Sequence, residues 1–167
     1  MERTADYWIN GLKLLPHPEG GYYKESYRSD EVIPGHSLPE RFSGERHHST
    51  AIHYLLKNNE CSKFHRIKSD EMWHYYDGRE LIIFSIDEKG ALSENKLGLD
   101  LSKGELPQVL IKAGHWFGAK LANADSYCLA GCTVSPGFHF DDFEIGSRAN
   151  LQKLFPQHSK IIEELTV

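Results

Sequence analysis

The chain has 167 residues, with 19 basic and 24 acidic side chains and a formal charge of −5. That length suits one folding unit, read as a single domain over 1–167, and 40% hydrophobic with 26% charged residues excludes disorder and low complexity. A mildly acidic chain without a Lys/Arg cluster is a poor fit to nucleic acid or an anionic membrane surface, and its longest apolar run, at 81–84, is far short of a membrane span.

The opening Met1-Glu2-Arg3-Thr4-Ala5-Asp6 has no apolar core and does not read as a signal peptide. Thr4 is placed to cap a short helix in which Trp8, Leu12 and Leu15 share a face, with Pro16 and Pro18 ending it. After the turn Glu19-Gly20-Gly21, alternation of Tyr23, Glu25 and Tyr27 against Lys24, Ser26 and Arg28 predicts a strand over 22–28. Residues 30–47, broken by Pro34-Gly35, Pro39 and Ser43-Gly44, read as a long loop suited to a lid or a dimer contact. Short strands are then expected at 49–56, 62–68, 71–76, 80–86, 92–97, 108–111, 116–121, 127–134 and 138–144, separated by Gly, Pro and Asn turn signals. Many short strands spaced this way predict an all-β sandwich or barrel. Ser147 is placed to cap a helix through Leu154, and 157–165 reads as another, the two covering an end of the barrel.

Histidine is the outlying count, at ten, and it is the commonest metal ligand and the side chain that titrates nearest neutrality. The densest chemistry runs from Phe64 to Gly78. There His65 and Ile67 share one strand face, Glu71, Trp73 and Tyr75 share another, and Met72, His74 and Tyr76 point the opposite way. His17, His36 and His158 fall in loops or the tail and carry no assignment. His139 precedes an alternating stretch, Phe140-Asp141-Asp142-Phe143-Glu144, whose acids read as a solvated face. Cys61, Cys128 and Cys132 are odd in number and form no C-x-x-C pair, so reduced thiols in a cytoplasmic protein are expected.

The segment from His65 resembles the first motif of the cupin superfamily, H-x-H-x₃₋₄-E-x₆-G, with His65, Ile67, Glu71 and Gly78 in its frame. Lys112-Ala113-Gly114-His115-Trp116-Phe117 resembles the second, P-x-G-x₂-H-x₃-N, with Phe117 at the histidine position and Leu121 at the asparagine. Several longer segments, among them His17 through Glu25, Phe64 through Tyr75, Gly114 through Ala119 and Gly131 through Phe138, are similar to a cupin subfamily described as predicted sugar epimerases. The resemblance implies a double-stranded β-helix, or jelly-roll barrel, with a short N-terminal helix and C-terminal helices, and it implies dimers.

In that family two histidines and a glutamate of the first motif join the histidine of the second around a metal. Here Ile67 and Phe117 replace two of the four, which leaves His65 and Glu71 as the remaining ligand candidates, and a catalytic metal ordinarily needs three protein ligands. No tight metal site or other cofactor is expected; His74 would join only if a bulge reversed its facing.

Inside a barrel without metal, His65 and Glu71 become an acid–base pair. Burial lowers the histidine and raises the glutamate, and Glu71 is placed to orient the ring and stabilise the imidazolium. Tyrosine serves as the acid in epimerisation, with Tyr23, Tyr75 and Tyr127 the candidates. The catalytic set is then His65, Glu71, His74 and Tyr75, although a hydrogen-bonded wall histidine is the plainer reading of His74. Tyr23, Glu25, Trp73, Trp116, Phe117, Tyr127 and Phe140 are the candidates for binding a carbohydrate-like or aromatic small molecule. The functions in competition are a metal-independent sugar isomerase or epimerase, a binding module that leaves its ligand unchanged, and a metal-dependent oxygenase-type cupin. A homodimer is expected from the exposed edges of such a sheet pair.

Overall fold

The computed structural model describes residues 3–166; Met1, Glu2 and Val167 lie outside the described residues, so the signal-peptide reading falls partly outside them. In chain order the elements are α1 (Ala5–Leu12), β1 (Leu15–Pro16), β2 (Tyr22–Arg28), β3 (Val32–Ile33), β4 (Arg46–His47), β5 (Thr50–Lys57), β6 (Cys61–Arg66) and β7 (Asp70–Gly78). They continue with β8 (Leu81–Ile86), β9 (Leu92–Leu97), β10 (Glu105–Leu106), β11 (Gln108–Ile111), β12 (Trp116–Leu121), β13 (Tyr127–Ser135), β14 (Glu144–Ile145), α2 (Arg148–Leu154) and α3 (Ser159–Glu164).

Two six-stranded sheets form, in the orders β1-β2-β5-β13-β7-β11 and β10-β9-β8-β12-β6-β14. From β5 to β8, and again from β11 to β14, successive strands alternate between the sheets, which is the winding of a jelly roll. All pairs are antiparallel except β10 with β9. The jelly-roll barrel expected from the sequence is therefore the fold observed.

The facing sides of the sheets enclose a core that includes Leu56, Trp73, Ile83, Val109, Phe117 and Leu121. β13 and β12 lie inside their sheets with both faces covered, so they read as nearly continuous buried runs rather than alternating ones. The outer face of the first sheet is covered by α1, whose Trp8, Ile9 and Leu12 pack with Leu14, Leu55 and Leu129. The outer face of the second is covered by α2 and α3, which bring Leu151 and Ile162 against Phe64, Phe84, Ile86 and Trp116. The tail helices thus lie along a sheet, not across a barrel end as their periodicity suggested. Among the described residues no helix is long and apolar enough to cross a membrane.

The caps fall where the sequence puts them. Thr4 accepts from the backbone N–H of Tyr7, and Ser147 from that of Asn150. The first helix is shorter than expected: Lys13 turns left-handed (φ 55°) and ends it, so Leu15 pairs as β1 with Tyr23 and Leu14 takes the buried position. Within 30–47 the loop is pinned by β3 pairing with β4.

The strand expected over 138–144 is a 3₁₀ turn, Phe140–Asp142, followed by the two-residue β14. Its acids are not all solvated. Asp142 is buried and accepts from both Nε (2.7 Å) and an Nη (2.6 Å) of Arg46, a forked ion pair that holds the turn against β4.

Candidate functional site

The site begins at the turn 17–21. The His17 N–H donates to the Gly21 carbonyl, and the Gly20 N–H to the His17 carbonyl. Gly20 has φ +114°, and a Cβ there would meet the Cys61 carbonyl oxygen at 2.1 Å, so only glycine lets the turn press against β6. The Lys63 N–H bonds the Glu19 carbonyl at 2.8 Å, and the Glu19 side chain enters the space between the sheets, where the residue is only 5% exposed.

β6 meets it with a bulge. Against β12, Phe117 pairs with His65 and Ala119 with Ser62, so three steps of β6 face two of β12. The extra residue lets Ser62 and His65, which strict alternation would put on opposite faces, both reach Glu19. Ser62 Oγ donates to Oε1 (2.8 Å), and His65 Nε2 lies 3.0 Å from Oε2. His65 Nδ1 lies 2.7 Å from the Lys63 carbonyl oxygen. Both ring nitrogens therefore face acceptors, while a neutral imidazole has one N–H. Nδ1 donates to Lys63, and a second proton is held between Nε2 and Glu19. With Ser62 also donating to Glu19, the arrangement is a hydrogen-bonded histidine–carboxyl pair buried in the barrel.

Around this pair the titratable groups are held neutral. Burial and then the nearby Glu19 push Glu71 up to about 8, against a hydrogen bond from the Cys132 thiol that opposes the shift. Burial, then Glu71, pushes that thiol well up. Tyr54 donates to the Gly20 carbonyl (2.7 Å), and its hydroxyl is pushed well up by burial and then by Glu19. Burial lowers His17 despite Glu19, and its Nδ1 accepts the Glu19 backbone N–H at 3.3 Å.

These groups open into a cavity of about 310 Å³. Its walls are Tyr23, Ile52, Ile67, Phe138, Phe140 and Phe143, and its rim carries Lys24, Glu25 and Arg28. Arg28 forks onto Glu25 (3.0 and 2.6 Å) and donates to the Phe138 carbonyl. The Phe143 ring stands 5.4 Å from His65.

Of the residues singled out in the sequence, His65, Glu71, Tyr23, Glu25 and Phe140 line this cavity. Phe117 lies behind it, its ring 4.1 Å from that of His65. The others are elsewhere. His74 is on the far face of β7, with Nε2 3.0 Å from Thr133 Oγ1 and Nδ1 3.1 Å from Gln108 Nε2, so no bulge turns it inward. Tyr75 donates to the Gly78 carbonyl, and burial raises its hydroxyl to about 12. Trp73 is core, packed edge-on to Tyr54. Trp116 lies under the tail helices with Arg66 over its ring, and Tyr127 donates to Asp77 beside α1.

The partner of His65 is also corrected: it is Glu19, not Glu71. Glu19 and His17 were missed because sequence distance hides a turn folded into a barrel. The acid followed by two glycines, in a segment already singled out, was the available signal.

The fold family implies a metal, and the residues here do not fit one. His65 has both nitrogens engaged, Ile67 and Phe117 offer no donor atom, and among the described residues no three of His, Cys, Asp or Glu are grouped to hold an ion.

A family model described as "Cupin superfamily (DUF985)" matches residues 6–146. Protein SO0799 from Shewanella oneidensis is 40% identical over 99% of both chains, with a TM-score of 0.90. The uncharacterized protein YML079W of Saccharomyces cerevisiae is 30% identical over 146 residues, covering 80% of this chain and 71% of that one. Oxalate decarboxylase from Bacillus subtilis shares the fold alone, with 14% identity and a TM-score of 0.54 over 90% of this chain and 36% of that one. The family match takes in the turn that carries Glu19, both sheets and the aromatic turn over the cavity, and the chain belongs to the cupin superfamily, in its DUF985 group.

Proposed function

We propose that this cupin binds a small carbohydrate-like molecule in the 310 Å³ cavity and isomerises or epimerises it without metal. The observation that carries the reading is the pair of opposite proton-transfer groups in one cavity. Glu19, 3.0 Å from His65, serves as the base; Glu71, pushed up to about 8, serves as the acid. The Glu19–His65 pair takes a proton from the carbon beside a carbonyl. The C–H electrons move to the carbonyl oxygen, which takes the Glu71 proton, and reversal at the other face or the neighbouring carbon completes the change. The aromatic walls exclude water from the intermediate.

The test is deuterium uptake from D₂O beside the carbonyl in a panel of five- and six-carbon keto and aldo sugars, followed by mass spectrometry. Wild type incorporates label into at least one of them, and Glu19→Gln or His65→Asn lowers the rate by about 10²-fold or more while the fold persists. Undiminished exchange in both variants refutes the assignment. A second reading, a module that binds without turnover, is favoured by the engagement of both His65 nitrogens, and tight binding with no exchange in wild type identifies it.

A further inference from the structure

Most hydrogen-bond donors in and behind the cavity wall are engaged within the protein. Arg28 donates to Glu25 and the Phe138 carbonyl, Tyr54 to the Gly20 carbonyl and Ser62 to Glu19. His17 differs. Its side chain lines the cavity, and its Nδ1 accepts the Glu19 backbone N–H at 3.3 Å. Glu19 Oε2 lies 3.6 Å from the same nitrogen, beyond hydrogen-bond reach. A ring nitrogen that accepts carries no proton, so the proton of this imidazole is on Nε2. Among the described residues nothing accepts from that N–H, and Trp73 Nε1 is the only sealed side-chain nitrogen or oxygen without a partner. Nε2 of His17 is therefore open, on the cavity that its ring lines. The ring is also held in place. Tyr23, Tyr54 and Phe143 stand edge-on around it, with centroids at 4.4, 5.9 and 6.3 Å and interplanar angles of 90°, 83° and 87°.

We propose that His17 is a binding residue for the ligand of this cavity: its Nε2–H donates to an oxygen of the bound molecule. The inference rests on the cavity being the ligand site, and it narrows the ligand to molecules that present a carbonyl or hydroxyl oxygen to the edge of this ring. No proton moves to or from His17. A fixed neutral donor lends partial positive charge to the oxygen and leaves the proton transfers to Glu19 and Glu71.

Two substitutions separate the donor from the turn. Asparagine can set its Oδ1 where Nδ1 accepts the Glu19 N–H, but it ends short of Nε2. Glutamine reaches the Nε2 position with an N–H and forgoes the turn contact. D-xylose, D-xylulose, D-glucose and D-fructose are titrated by calorimetry into wild type, His17→Asn and His17→Gln at pH 7, with a urea midpoint for each protein. At least one sugar binds wild type, His17→Asn weakens it about tenfold or more at an unchanged midpoint, and His17→Gln stays within about threefold of wild type. A contact that serves only the turn gives the opposite order. Two-bond ¹H–¹⁵N spectra of wild type show His17 as the Nε2–H tautomer, and its Nε2 resonance moves when that sugar is added. Binding of none of the four sugars, equal affinity in wild type and His17→Asn, a loss in His17→Gln as large as that in His17→Asn, or an Nε2 without a proton overturns the proposal. Deuterium exchange reports separately. The expected affinity pattern without exchange in wild type leaves this inference standing and removes the isomerase, while exchange that persists at unchanged sugar affinity in His17→Asn does the reverse.

Discussion

Glu71 is pushed up to about 8 because burial disfavours its charged form and Glu19 shares its cavity. The consequence for stability has a definite sign. Between the ordinary value of 4.5 and about 8 the folded chain binds a proton at Glu71 that the unfolded chain has released. Stability must then fall as pH rises through that window. Comparing urea denaturation at pH 5 and pH 8, wild type loses on the order of 3 kcal/mol more than Glu71→Gln. Equal losses in the two proteins would show that Glu71 is an ordinary acid. At this scale the sequence was half legible. His65 and Glu71 stand in a recognisable frame, but the residue that meets His65 is 46 positions away, in a turn whose histidine looked like any loop histidine.

Two local irregularities build the site from regular elements. The turn through Gly20 and Gly21 carries Glu19 inward, and the β6 bulge swings Ser62 and His65 onto it. Gly20→Ala puts a methyl group into the Cys61 carbonyl at a backbone angle that alanine disfavours. It lowers the unfolding free energy by at least about 2 kcal/mol, read from the urea midpoint, and reduces deuterium exchange by displacing Glu19. An unchanged midpoint would mean that the turn can shift without cost. Neither irregularity follows from alternation, since a bulge leaves no mark in a two-residue period. The 138–144 segment failed for a related reason. Its alternating aromatics and acids read as a strand, but Asp142 is claimed by Arg46, 96 residues earlier, and the ion pair curls the segment into a turn over the cavity.

Across the whole molecule, three apolar clusters divide the work: one between the sheets and one under each helical cover. The cavity sits at the inner cluster, and the tail helices bury the opposite face of the second sheet. Leu151→Ala, at a fully buried position in α2, should cost about 2–5 kcal/mol in denaturant titration while the folded fraction keeps its cavity chemistry. Loss of deuterium exchange in proportion to stability would instead tie the cover to the site.

The sequence by itself determined most of the strand pattern, the capped helices and an all-β sandwich or barrel, because periodicity, turn residues and caps are local and each acts within a few positions; the jelly-roll winding came from the motifs shared with the cupins. It also determined that two of the family's ligand positions are apolar. Only the tertiary structure decided which acid meets His65, which aromatics face the cavity and which support the outer covers. A strand's two faces differ by one residue of register, and a pairing of Glu19 with His65 exists only once the chain has closed on itself.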